Sequence, residues 1–280
     1  MARKCLRLDC PRGGPERRVE ARVNVHRGEG KSRLHAMLPS TVDPAHWEKD
    51  VTNEASKTRA IRAHDFEQRY FSGSVLDIGC GADLVVPHAE PFDREHGDAN
   101  EVLQHLAPRT YSCVHSSHCL EHMKDVPAAL EQWWELVQLG GHLVVVVPDE
   151  ALYEQGIFPS LFNRDHKATF RLGDSASWSP RSYSLDGLFA ALPGARTLSA
   201  ERQDAGYDHS LMREGTTPWG RWLHHGNHLR RSAMWLARLR SERFEQAVNR
   251  LVFGLGGPVD QTAGPALAQI EVVAQKQDRG

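Results

Sequence analysis

Val75-Leu76-Asp77-Ile78-Gly79-Cys80-Gly81 sets one acid inside a short apolar run and closes that run with a pair of glycines. Such a run, ended by glycine, reads as a buried strand entering a tight turn. Glycine is needed there for unusual φ and for close approach of a ligand to backbone N–H groups. A carboxylate inside a buried strand is costly unless paired, so Asp77 reads as functional, the alternative being a cap on the following turn. A dinucleotide turn would be G-x-G-x-x-G, and its third glycine position is Leu84. That disfavours a nicotinamide dehydrogenase.

Outward from this turn, strands are expected at 90–93, 111–116 and 142–147. Between the last two lies an expected helix, 126–139, with Pro127 in its first turn. Ala129, Leu130, Trp133, Trp134 and Val137 are its apolar residues, and Gly140-Gly141 its stop. Strand, helix and parallel strand in succession predict an α/β fold: a doubly wound, mostly parallel Rossmann-like sheet with helices on both faces. Upstream, 44–71 is expected to be helical, with Trp47, Ala60, Ile61, His64 and Tyr70 inward, broken by Ser72-Gly73-Ser74. Downstream come a helix at 185–191, a strand at 196–200, a Trp- and Arg-rich helical block near 218–253 and a final strand at 268–274. The block reads as a helical insertion before the last strand. The expected organisation is a poorly ordered basic tail over 1–40 and one domain over 41–280, with its core at 72–205 and 265–277 and the insertion at about 213–255.

The bulk numbers narrow the class. With 40% hydrophobic and 25% charged residues and a net charge of −2, the chain has ordinary globular composition and no global affinity for polyanions. Local charge is uneven: residues 1–34 carry ten Lys/Arg against four Asp/Glu, and 213–250 eight Arg against three Glu. Solvated surface is the commoner meaning of such runs. The longest apolar run, 143–147, is far short of the ~20 residues of a membrane span. No apolar segment follows the basic N-terminus as a secretory signal would require. Five cysteines without a C-x-x-C pair predict free thiols and a cytoplasmic setting.

The stretch 75–81 strongly resembles the first motif of class I S-adenosylmethionine-dependent methyltransferases, and the resemblance extends over roughly 74–147. It implies S-adenosyl-L-methionine as cofactor, with Asp77 near its amino group and Gly79, Cys80 and Gly81 admitting its amino-acid portion. Asp93, closing Glu90-Pro91-Phe92-Asp93, corresponds to the acid that accepts the ribose hydroxyls. Gly97-Asp98-Ala99-Asn100 resembles the loop that reads adenine, which implicates Asp98 and Ala99. Four residues separate the two acids, so the usual intervening helix and third strand must be sharply shortened, and the two roles could be exchanged. Ser116-Ser117-His118-Cys119-Leu120-Glu121-His122 resembles the end of the family's fourth strand and the loop after it, placing Ser116 and Ser117 at the cofactor. Leu139-Gly140-Gly141 resembles the family's turn before the fifth strand, with leucine for proline.

Methyl transfer from a sulfonium needs collinear reactants in a dry pocket, and a hydroxyl acceptor also needs a base. Ligands of such sheets bind beyond the carboxyl ends of the strands. The candidates are therefore His118, Glu121 and His122, then Asp149 and Glu150. The polar and aromatic stretch 153–167 reads as a lid, with His166 the leading base, Asp165 or Asp149 the alternatives, and a merely structural loop the rival. His115, His118 and His122 suggest a ligand set, but the family usually needs no metal, and none is expected. The function expected is methyl transfer to an O or N nucleophile of a small molecule or glycan. The alternatives are a cofactor-binding module without catalysis and an RNA methyltransferase, nucleic acid being disfavoured by the lack of a base-methylation motif. A homodimer through the helical insertion is a further expectation.

Overall fold

A computed structural model describes residues 54–215 and 242–278. The tail over 1–40, Trp47 and most of the helical block near 218–253 lie outside the described residues. No helix among those described is long and apolar enough to cross a membrane.

The strand at the centre of the sequence motif, β1 (Val75–Ile78), is buried at all four positions, as a strand covered on both faces must be. It lies between β2 (Glu90–Phe92) and β3 (Tyr111–Ser117), both parallel to it. β3 pairs in parallel with β4 (Val137–Pro148), and β4 is antiparallel to β8 (Gln269–Lys276). β8 in turn pairs with β7 (Ala195–Gln203), giving the order β2-β1-β3-β4-β8-β7. A two-stranded parallel sheet, β5 (Thr169–Arg171) with β6 (Ser182–Ser184), stands apart from it. Alternation along the strands divides the core between the faces of the large sheet. Leu76, Ile78, Val114, Val145 and Val147 go to the larger cluster, and Val75, Cys113, Val144 and Val273 to the smaller.

On the larger face lies α4 (Val126–Glu135). Asp125 caps it by accepting the Ala128 N–H at 3.1 Å. Its inward residues, Val126, Ala129, Leu130, Trp133 and Trp134, repeat at helical spacing and bury completely. The indole N–H groups donate to the carbonyls of Ala99 and Pro193, both at 2.9 Å. The helix is shorter than expected. It ends at Glu135, and β4 begins at Val137, so Val137 and Gly140-Gly141 belong to the strand. The glycines fit a register shift between β3 and β4: Gly140 has φ 77°, and a Cβ on Gly141 would sit 2.9 Å from the Ser112 carbonyl.

The region before β1 forms two short helices, α1 (Glu54–Ile61) and α2 (Phe66–Tyr70). Ala60, Ile61 and His64, expected inward, are exposed; Ala55 and Thr58 are the buried face of α1. The turn is set by polar anchors rather than by an apolar stripe. Ser56 donates through N–H and Oγ to Asp83, and Arg62 Nε donates to Glu271 of β8 at 2.9 Å. Between β2 and β3 a single 3-10 turn and α3 (Leu103–Leu106) replace the longer helix and strand of a full Rossmann-like half. The helix α5 (Leu185–Ala191) forms as expected, capped by Ser184. Of the expected insertion, the described part is one helix, α6 (Glu242–Gly254).

Candidate active site

The glycine turn leaves β1 with Gly79 at φ 74° and Gly81 at φ 54°, both left-handed. The two glycines serve different ends. A Cβ on Gly79 would lie 2.5 Å from Cys119 Cβ, so its missing side chain lets the loop after β3 pack onto the turn. A Cβ on Gly81 would meet nothing within 4 Å. The chain is open in front of Gly81, and the half-buried Asp93 carboxylate accepts the Gly81 N–H at 2.7 Å. Pairing of Ile78 with Phe92 brings this about, because it sets the residue after β2 beside the turn after β1. Asp98 caps the 3-10 turn at 99–101, accepting from the Asn100 side chain and backbone, and these bonds hold its carboxyl below the usual range. Ala99 is turned against the core and lends its carbonyl to Trp133. Cys80 stays a thiol, pushed up to about 11 by burial and then by the charges of Asp77 and Asp93.

Asp77 faces inward. It is buried, with Oδ2 accepting the Val85 N–H and Oδ1 bonded to His115 Nδ1, each at 2.7 Å. Both oxygens thus have partners inside the chain. Ser116 is buried and donates to the Ile78 carbonyl at 3.0 Å; Ser117 Oγ is buried with no hydrogen-bond partner among the described residues. Asp149, at the end of β4, is also satisfied. Its Oδ1 accepts the N–H groups of Ala151 and Leu152, and its Oδ2 the Arg202 Nε–H. Burial nonetheless raises its pKa, against those bonds and the Arg202 charge.

The loop after β3 and the lid meet over Glu121. Its carboxylate is 1% exposed, and neither oxygen has a hydrogen-bond partner among the described residues. Three imidazoles face Oε1: His118 Nδ1 at 3.7 Å, and His122 Nε2 and His166 Nε2 at 3.9 Å each. His118 has φ 53°, a conformation rare outside glycine, as is common where a site over-determines the backbone. The lid is strapped on by the Lys167 and Ala168 N–H groups, which both donate to the Glu121 carbonyl, and by Lys167 Nζ, which donates to the His122 carbonyl. His166 is buried and donates from Nδ1 to Glu154 Oε1 at 2.7 Å. Burial lowers its pKa, but the bond to Glu154 and the charges of Glu121, Glu154 and Asp165 outweigh it and hold it above the ordinary value. His122 Nδ1 lies 3.1 Å from Asp165 Oδ2, and Asp165 lies 3.9 Å from Arg94, the residue after Asp93. The loop after β2 is thereby tied to the cluster.

The three histidines that suggested a ligand set in the sequence are separated: His115 belongs to Asp77, and His166 takes its place beside Glu121. Glu154 has no signal in the sequence, since only the folded lid brings it to His166, twelve residues on.

A family profile described as "Methyltransferase domain" matches residues 62–208, which hold the glycine turn, Asp93, the Glu121 cluster and the lid. The chain belongs to this family. It carries a class I, S-adenosylmethionine-dependent methyltransferase domain, and its cofactor is S-adenosyl-L-methionine. The open space before Gly81 and the Asp93 carboxylate beside it fit such a group. No curated protein matches the chain. Among solved structures it is similar to an S-adenosylmethionine-dependent methyltransferase from Archaeoglobus fulgidus, with 16% identity over 80% of this chain and 95% of that one, TM-score 0.40. It is also similar to the plantazolicin methyltransferase BamL, with 13% identity over 82% and 87%, TM-score 0.40. A protein from Galdieria sulphuraria, provisionally assigned as a sarcosine dimethylglycine methyltransferase, shares 14% identity over 70% of this chain, TM-score 0.35. The chain spans only 62% of the length of that protein.

Proposed function

We propose that this methyltransferase transfers its methyl group to an O or N nucleophile of a small molecule or glycan, at the Glu121–His122–His166 cluster. The observation that carries the reading is the buried Glu121 carboxylate, which has no hydrogen-bond partner among the described residues and is faced by imidazoles beyond the carboxyl end of β3, with Asp165 and Arg94 leading on to the loop carrying Asp93. S-adenosylmethionine supplies a methyl on a positively charged sulfur that departs as a neutral thioether. In this reading Asp93 binds the ribose hydroxyls, Asp98 and Ala99 lie at adenine, and Gly79, Cys80 and Gly81 admit the amino-acid end. Asp77 acts behind them: with both oxygens taken by Val85 and His115, it holds the turn in shape.

The proton of a hydroxyl acceptor leaves as the new bond forms, and the cluster receives it. His122 is the imidazole an acceptor can reach, with 23% of its side chain exposed, whereas His166 stands behind it at 3%. Glu121 and Asp165 lie near the two His122 nitrogens and stabilise the imidazolium that results. Asp149, capping the following turn and paired to Arg202, is left out of the base role. A positioned base contributes about 10²–10⁴-fold. On a sugar-hydroxyl acceptor, His122→Ala is expected to lower turnover by about 100-fold or more, with S-adenosylhomocysteine affinity unchanged within about twofold. Unchanged turnover would remove the base assignment, and lost cofactor affinity would move His122 to the cofactor pocket.

A further inference from the structure

We propose that Glu121, His122 and His166 form a binding site for a divalent transition-metal ion, with zinc the first candidate. The ligand atoms of these three residues lie within 4.8 Å of one another. What marks the site is where the hydrogens are. The Gln269 amide nitrogen donates to Thr58 Oγ1 and Gln203 Oε1, so its oxygen faces His118 and takes the Nε2–H at 3.0 Å. His166 commits Nδ1 to Glu154, and His122 commits Nδ1 to the Asp165 backbone carbonyl. With those ring nitrogens committed, His118 Nδ1, His122 Nε2 and His166 Nε2 are the atoms that converge on Glu121 Oε1. The gaps of 3.7–3.9 Å are too long for hydrogen bonds. A cation there would join the buried carboxylate to the imidazole nitrogens that face it. Ligand atoms about 2.0–2.2 Å from zinc stand roughly 3.3–3.6 Å apart at tetrahedral angles, so each imidazole nitrogen would close on Glu121 Oε1 from 3.9 Å by a few tenths of an ångström.

The surroundings agree. A metal-bound histidine characteristically donates its other N–H to a carboxylate, which fixes the ring and raises its basicity. Glu154 does this for His166, and for His122 the Asp165 backbone carbonyl takes the same part at 3.2 Å. Two imidazoles and a carboxylate suit zinc or a neighbouring transition ion, not magnesium or calcium, and leave a coordination position for an oxygen ligand. An ion there would occupy His122 Nε2 and would bind and acidify an acceptor hydroxyl in place of His122 acting as base. That role rests on the reading of the cluster as the acceptor site; binding of the ion does not.

The test is zinc titration of the full chain by competition with a chromogenic chelator, together with the visible spectrum of the cobalt(II) form. One equivalent should bind, with a cobalt spectrum of low coordination number. Glu121→Gln should weaken zinc about 100-fold or more, and Glu154→Gln by about 10–100-fold. His209→Ala, at an exposed histidine away from the cluster, should bind as the wild type does. S-adenosylhomocysteine binding by each variant reports an intact fold, and His122→Gln, at a partly exposed position, replaces Glu121→Gln should the latter not fold. Absence of stoichiometric binding, or equal affinity in wild type and cluster variants, overturns the site. A chain that binds no zinc yet loses turnover on His122→Ala keeps the proton-transfer reading and loses only this one. One that binds zinc but methylates no hydroxyl does the reverse.

Discussion

Asp93 and Asp98 stand five positions apart, yet their chemical situations differ. Asp93 follows β2 directly, faces the open side of the glycine turn and spends one oxygen on the Gly81 N–H and the other on the Arg94 N–H. Asp98 is a helix cap whose Oδ1 serves Asn100 twice. A carboxylate accepting two hydroxyls makes charge-assisted bonds worth roughly 1.5–3 kcal/mol each. Asp93→Ala is therefore expected to weaken S-adenosylhomocysteine binding by about tenfold or more, measured by calorimetry, one such bond being the minimum loss. Asp98→Ala should cost less; the opposite ranking would show that the two acids exchange roles. At this scale the sequence was legible at Gly79 and Gly81, whose left-handed φ makes the tight turn straight after the strand. It was not legible for Asp77, whose partner His115 stands opposite it on the neighbouring strand, nor for Asp149, whose Arg202 comes from β7.

Among the elements, α4 shows periodicity and structure in agreement, and it carries much of the larger core. Trp133 is fully buried on it, with its indole N–H satisfied by the Ala99 carbonyl in the loop that holds Asp98. Removing so large a side chain leaves a cavity and an unpaired carbonyl, so Trp133→Ala should destabilise the chain by about 3–5 kcal/mol in urea unfolding. A loss below about 1 kcal/mol would mean that the helix is not seated on the sheet as described. The end of α4 was misread because Gly140-Gly141 looks like a helix stop. These glycines instead permit a left-handed residue and a close backbone approach where β4 meets β3 out of register. Local sequence cannot tell the two uses apart, since both require the same missing side chain.

Across the whole molecule, the segment before β1 is joined to the far side of the sheet by the Arg62–Glu271 pair. Its side chains are 3% and 8% exposed, and they link residues 209 positions apart. Breaking a buried pair leaves an uncompensated charge and costs about 3–5 kcal/mol. Glu271→Ala is expected to lower unfolding stability by that amount, while the double variant Arg62→Met with Glu271→Leu recovers most of it. Full stability in Glu271→Ala would show that Arg62 finds solvent or another partner.

The parallel sheet, its glycine turn and the family were determined by the sequence alone. Each depends on short-range pattern: apolar runs of strand length, glycines at fixed spacing, a helix with two tryptophans on one face. The proposed active-site cluster was decided by tertiary structure. Glu121 and His122 are adjacent in the chain, but His166 and Glu154 reach them only because the lid folds back onto the Glu121 carbonyl. A buried carboxylate left without a hydrogen-bond donor can be recognised only when everything around it is in place.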